Sequence, residues 1–95
     1  MRRADARRLL LFERGREVVA ELARQWPTLS YLPSFRAQLA YLEAVERGSE
    51  PDRTRLKDIN IGVITAKDIE DRDGPAAAVL QEISAAARAM EAEPS

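Results

Sequence analysis

The chain has 95 residues, a third of them charged and 45% hydrophobic, which fits one small globular domain and leaves no room for separate substrate and cofactor domains. It has no cysteine and no histidine, which excludes disulfides, thiolate metal sites, a cysteine nucleophile and the side chain most used for acid–base work near neutral pH. The net charge of -1 hides a polarity: residues 1–48 carry nine arginines against six acids, and residues 49–95 carry six basic residues against ten acids.

In chain order, helical spacing runs from Arg2 to about Gln25, with Leu11, Gly15, Val18 and Leu22 on one stripe and Phe12, Val19 and Trp26 on its neighbour. Pro27 ends that helix, because proline lacks the amide hydrogen and clashes with the preceding turn. A second helix starts between Thr28 and Pro33 and reaches about Arg47, with Leu32, Phe35, Leu39 and Leu42 inward, Tyr31, Gln38, Tyr41 and Val45 in the adjacent row, and Gly48 as its cap. Asp52 or Ser49 can cap a short third helix through Lys57. In the next stretch Ile59, Ile61 and Val63 alternate as in a strand, whereas Ile61, Thr65 and Ile69 keep helical spacing. A helix over 62–70 is the choice here, since a lone strand would leave its backbone groups unpaired. Asp73 and Pro75 then open a last helix that runs to about Met90 with Ala76, Leu80, Ile83, Ala87 and Met90 inward, and residues 91–95 form a fraying tail. The expected fold is all-α: residues 1–95 as a single bundle of four to five helices.

Four acids in six residues, Asp68, Glu70, Asp71 and Asp73, invite a metal reading, and Asp71 to Gly74 has the look of part of a calcium loop. The register rules it out: with Gly74 as the loop's glycine, Ile69 would be the first ligand and Leu80 the bidentate glutamate. Capping accounts for Asp73, and the other acids either face a basic partner or form a purely solvated turn. Arg2, Arg3, Arg7 and Arg8 share their helix with Asp5, Glu13, Glu17 and Glu21 and have no interleaved aromatics, so they read as a solvated helix start and not as a nucleic-acid surface. Tyr31, Phe35 and Tyr41 read as core, although Tyr31, at a helix entry beside a proline, suits an interface anchor. No signal peptide is expected, because the apolar run Leu9 to Phe12 breaks at Glu13 and Arg14, and no stretch approaches a membrane span. These features favour a cytoplasmic, non-enzymatic protein that uses no cofactor, no metal and no catalytic residue.

The run FRAQLAYLEAV, followed by a turn, RLKDINIGVITAKDIEDRD and an amphipathic last helix, resembles a family of small helical immunity proteins of bacterial type VI secretion. The resemblance covers about residues 31–88, with Ile61, Gly62, Ala66, Lys67, Asp68, Ile69 and Glu70 as its most specific part, preceded by Gln38, Leu39 and Tyr41. Asp68 stands where a glutamate is usual, and Ile69 where an aromatic is usual. The resemblance implies a binding protein that occludes the active site of a cognate NAD(P)+ glycohydrolase toxin. The expected contact residues are Lys67, Asp68, Glu70, Asp71 and Asp73, with Tyr31 and Arg72 as additions, and Ile61, Ile64, Ile69 and Leu80 packing beneath. Two other readings stand beside it: a helical DNA-binding or antitoxin-like regulator using the arginine-rich first helix, and an adaptor that forms a homodimer through its alanine-rich last helix.

Overall fold

The computed structural model describes residues 3–94, and its architecture follows from three long helices. Helix α1 spans Ala6–Gln25, α2 spans Leu32–Arg47 and α4 spans Gly74–Ala92; between the last two lie a 3-10 turn at Thr54–Asp58, the single-turn helix α3 at Ile61–Ile64, and a π turn at Thr65–Ile69 that continues it. No strand occurs among the described residues. The backbone from Ile61 onward is helical, as chosen, but widened: the Glu70 amide donates to the Thr65 carbonyl, five residues back.

Helix α1 starts at Ala6 and not further upstream, because Asp5 is extended and its carboxylate accepts the amides of Arg7 and Arg8. The expected start at Arg2 lies outside the described residues. Helix α2 begins without a side-chain cap, its Pro33 in the first turn, and ends at Gly48, whose φ of 81° is the left-handed conformation that releases the chain. Asp52 accepts from both the amide and the hydroxyl of Thr54, which opens the 3-10 turn. Asp73 caps α4 by accepting from the Ala76 amide, with Pro75 in the first turn.

The topology can be read from one ionic knot. Arg8, at the start of α1, donates to Glu46 near the end of α2 and to Glu93 just past α4, and the Asp5 amide donates to Glu46 as well. Both α2 and α4 therefore run opposite to α1, and residues 48–73 carry the chain back along the bundle. The Glu46 side chain is wholly buried, and donors such as these make its burial tolerable. This corrects the reading of Arg8 as solvated, whereas Arg3 and Arg7 are exposed as read and Arg2 lies outside the described residues: the Arg8 side chain is 13% exposed and its guanidinium is held high in pKa, first by Glu93. It also corrects the frayed tail, since α4 continues to Ala92 and Glu93 is tied to α1.

The core comprises Phe12, Val19 and Leu22 of α1, Phe35, Leu39 and Leu42 of α2, and Leu80, Ile83, Ala87 and Met90 of α4, with Leu56, Ile61 and Ile69 closing one side. Of the expected α1 stripe, Leu11, Val18 and Trp26 are only partly buried. Gly15 permits the close approach of the three helices: a Cβ there would lie 2.4 Å from Ile83 Cδ1 and 3.1 Å from Leu39 Cδ2. The return segment is lashed to α4 by two arginines, Arg53 donating to the Met90 carbonyl and Arg88 to the Leu56 carbonyl. An arginine can do this because its planar fork reaches out from an apolar stem.

Candidate functional site

The side of α3 and the π turn that faces the core is set by Ile61, Gly62, Thr65 and Ile69, all buried, and the opposite side by Val63, Ala66, Lys67 and Glu70, all exposed. Gly62 allows this segment to lie against α4. A Cβ on it would fall 2.4 Å from Ser84 Oγ and 2.8 Å from Ser84 Cβ, while the Gly62 carbonyl accepts from Gln81 of α4 at 2.9 Å. Toward α2 the segment is held at two points. Gln38 and Asn60 exchange two hydrogen bonds, the Gln38 amide nitrogen donating to Asn60 Oδ1 at 2.7 Å and the Asn60 backbone donating to Gln38 Oε1 at 3.0 Å. Seven residues earlier, just before α2, the Tyr31 hydroxyl donates to Asp68 Oδ2 at 2.5 Å. Ile64 lies between these ties and packs on the core.

The second tie extends into a surface network. Asp68 also accepts from Arg72 Nε at 3.2 Å, the Arg72 guanidinium lies over the Trp26 ring with its carbon 5.6 Å from the centroid, and Tyr31 rests on Phe35 with ring centroids 5.1 Å apart. The order Trp26, Arg72, Asp68, Tyr31 joins the end of α1, the turn before α4, the π turn and the entry to α2. Burial first, and the Asp68 carboxylate next, push the Tyr31 phenol up to about 12. The bond from Tyr31, and then Arg72, holds the Asp68 carboxyl below the ordinary carboxylate range. Around physiological pH the pair is therefore a neutral phenol on an ionised carboxylate.

Of the residues expected to make contact, the fold brings Tyr31, Asp68 and Arg72 together and places Lys67, Glu70 and Asp71 beside them on exposed positions. The side chains of Lys67, Glu70 and Asp71 have no hydrogen-bond or ion-pair partner among the described residues. Asp73 is half-buried and is occupied in capping α4. The acidic run thus divides its labour: Asp68 and Asp73 hold the fold locally, and Glu70 and Asp71 face solvent. Trp26 was read from the sequence as core and is instead shared, packed on the core and stacked beneath Arg72. Its position just before Pro27, where the helix stops, was the available signal.

No group of three or more carboxylates among the described residues is arranged to hold a metal ion, and no described helix is long and apolar enough to cross a membrane. A cleft of about 220 Å³ opens beside the Gln38–Asn60 tie, lined by Ser34, Tyr41, Arg55 and Asp58. Arg55 covers the Tyr41 ring there at 4.7 Å, and the Tyr41 hydroxyl is spent on the Asp52 carbonyl, so these two of its lining groups are already engaged within the fold.

The fold is that of a small helical protein, in which the Trp26–Arg72–Asp68–Tyr31 network and the exposed Lys67, Glu70 and Asp71 beside it form a surface ridge. Residues 10–89 match the Tsi6 family, and the chain belongs to it: it is an immunity protein of the type VI secretion class, whose namesake neutralises an NAD+-consuming toxin. Comparison with curated proteins gives no match, and neither does comparison with solved structures.

Proposed function

We propose that this chain protects its cell by binding a cognate type VI toxin of the NAD(P)+ glycohydrolase kind and covering its active-site cleft, acting in the cytoplasm by contact and without chemistry of its own. The observation that carries the reading is the ridge itself: Glu70 and Asp71 stand exposed, with no partner among the described residues, beside a Trp26–Arg72–Asp68–Tyr31 cluster, in a chain of an immunity family. A pocket that binds a dinucleotide pyrophosphate presents positive potential, which an acidic ridge complements and which speeds encounter. Tryptophan, tyrosine and arginine are the side chains that most often dominate binding energy, because they bring large area and directed polar groups together. An ordinary interface takes roughly 800 Å² from each partner, about a seventh of the 5844 Å² this chain exposes, so one face suffices.

The test is co-expression with the secreted toxin encoded in the adjacent reading frame, scoring growth and cellular NAD+. Wild type is expected to preserve both. Glu70→Lys with Asp71→Lys should abolish protection while leaving helicity and melting temperature nearly unchanged, since neither side chain supports the fold. Unaltered protection by the double variant would remove the acidic ridge from the mechanism.

A further inference from the structure

Val63 is 59% exposed, and apart from Leu10 no other large apolar side chain among the described residues is so open. A single exposed apolar residue usually has no meaning. Val63 differs in what surrounds it. A β-branched residue on the solvent side of a one-turn helix loses side-chain freedom without gaining burial. Its backbone is nevertheless held from three sides: Asn60 is clamped by Gln38, Gly62 is pressed against Ser84 and accepts from Gln81, and the Ile64 amide donates to the Asn60 carbonyl. Leu10, by contrast, lies on the outer face of the 20-residue α1 among exposed side chains of both signs, Arg7, Glu13 and Arg14, and not at the head of a negative surface.

Resting on the toxin-binding reading above, we propose that Val63 is the apolar anchor of the interface, inserted into a small hydrophobic recess of the toxin that is rimmed by basic groups. The occupant follows from charge. Between Val63 and Asp73 the segment carries Lys67 and Arg72 against Asp68, Glu70, Asp71 and Asp73; Arg72 is held by Asp68 and Asp73 caps α4, so the side chains left unpaired among the described residues are Lys67, Glu70 and Asp71, and the exposed surface that follows Val63 is net negative. A positively rimmed surface is attracted by those acids, and the valine supplies the desolvated centre that rim charges alone do not. Because the backbone beneath Val63 is fixed before binding, little conformational freedom is lost on docking.

The experiment is titration calorimetry of purified wild type, Val63→Ala, Val63→Asp and Leu10→Asp against the purified toxin domain from the adjacent reading frame, with circular dichroism to verify folding. Val63→Ala should weaken binding about tenfold and Val63→Asp a hundredfold or more, with Leu10→Asp within twofold of wild type. Val63→Asp binding like wild type while Glu70→Lys with Asp71→Lys loses affinity would overturn the anchor alone and leave the acidic ridge standing. An equal loss from Leu10→Asp would also overturn it, since any apolar surface would then serve. Absence of binding by wild type would overturn both this assignment and the function on which it rests.

Discussion

Replacing Gly62 by alanine tests the packing that sets the ridge in place. In a helical position alanine is favoured over glycine by about 1 kcal/mol, so propensity alone predicts a more stable protein. Packing opposes it. The added methyl would lie 2.4 Å from Ser84 Oγ, 2.8 Å from Ser84 Cβ and 3.1 Å from Gln81 Oε1. The hydroxyl can rotate away, but Ser84 Cβ is fixed to the backbone of α4, so the two segments must part by several tenths of an ångström. Overpacking of this kind costs about 1–3 kcal/mol, and weakening the Gln81 to Gly62 bond adds about 1 kcal/mol. The net expectation is destabilisation by about 1–3 kcal/mol, read as a fall of roughly 4–24 °C in melting temperature for a domain of this size. Adding Ser84→Ala should restore only part of the loss, because it removes the nearest atom and leaves the Cβ. Gly74→Ala is the comparison: a Cβ there meets no other element within 4 Å, and only the restriction that Pro75 places on a preceding residue with a Cβ opposes it, so that variant should lose less stability than Gly62→Ala. Gly62→Ala matching wild type in thermal unfolding would refute the argument that contact with Ser84 outweighs propensity.

Arg8→Ala should cost about 3 kcal/mol in urea unfolding, because it strips the buried Glu46 carboxylate of a charged donor and removes the link from α1 to Glu93; a loss under 1 kcal/mol would mean the knot is dispensable. Thr65→Val should leave stability unchanged or raise it by about 1 kcal/mol, since the buried Thr65 hydroxyl has no hydrogen-bond partner among the described residues; a clear loss would show that the hydroxyl is bonded in solution. The Tyr31–Asp68 pair should leave its mark at both ends of the pH scale. Tyr31 is raised from 10.0 to about 12, so its contribution is complete below pH 10.0 and vanishes as pH rises through about 12. Asp68 is lowered from 3.8, so its contribution is complete above that value and vanishes as pH falls below it. Tyr31→Phe should therefore shrink the stability difference between neutral pH and either extreme, and a profile superimposable on wild type would exclude the pair as a contributor.

Several elements were legible because their causes are local. Pro27, Gly48, Asp73 and Pro75 mark helix ends through backbone chemistry that a few neighbouring residues determine, and the inward rows of α2 and α4 follow from apolar spacing alone. The motif around Gly62 and Lys67 was legible as a resemblance, and the family match bears it out. Trp26 and Arg8 were misjudged for the same reason as each other. Their partners, Arg72 for one and Glu46 and Glu93 for the other, lie tens of residues away in sequence, and no local pattern announces such pairings.

By itself, then, the amino-acid order determined an all-helical chain, its main breaks, its core rows and its kinship, since each depends on interactions within a turn or two or on composition. Only the tertiary structure decided that Asp68 is bound to Tyr31 while Glu70 and Asp71 stay free, that Arg8 closes the bundle, and that Val63 points outward. Those outcomes depend on how α2, the π turn and α4 meet in space. Whether a side chain is spent inside the protein or left for a partner is settled by what the fold brings within reach of it.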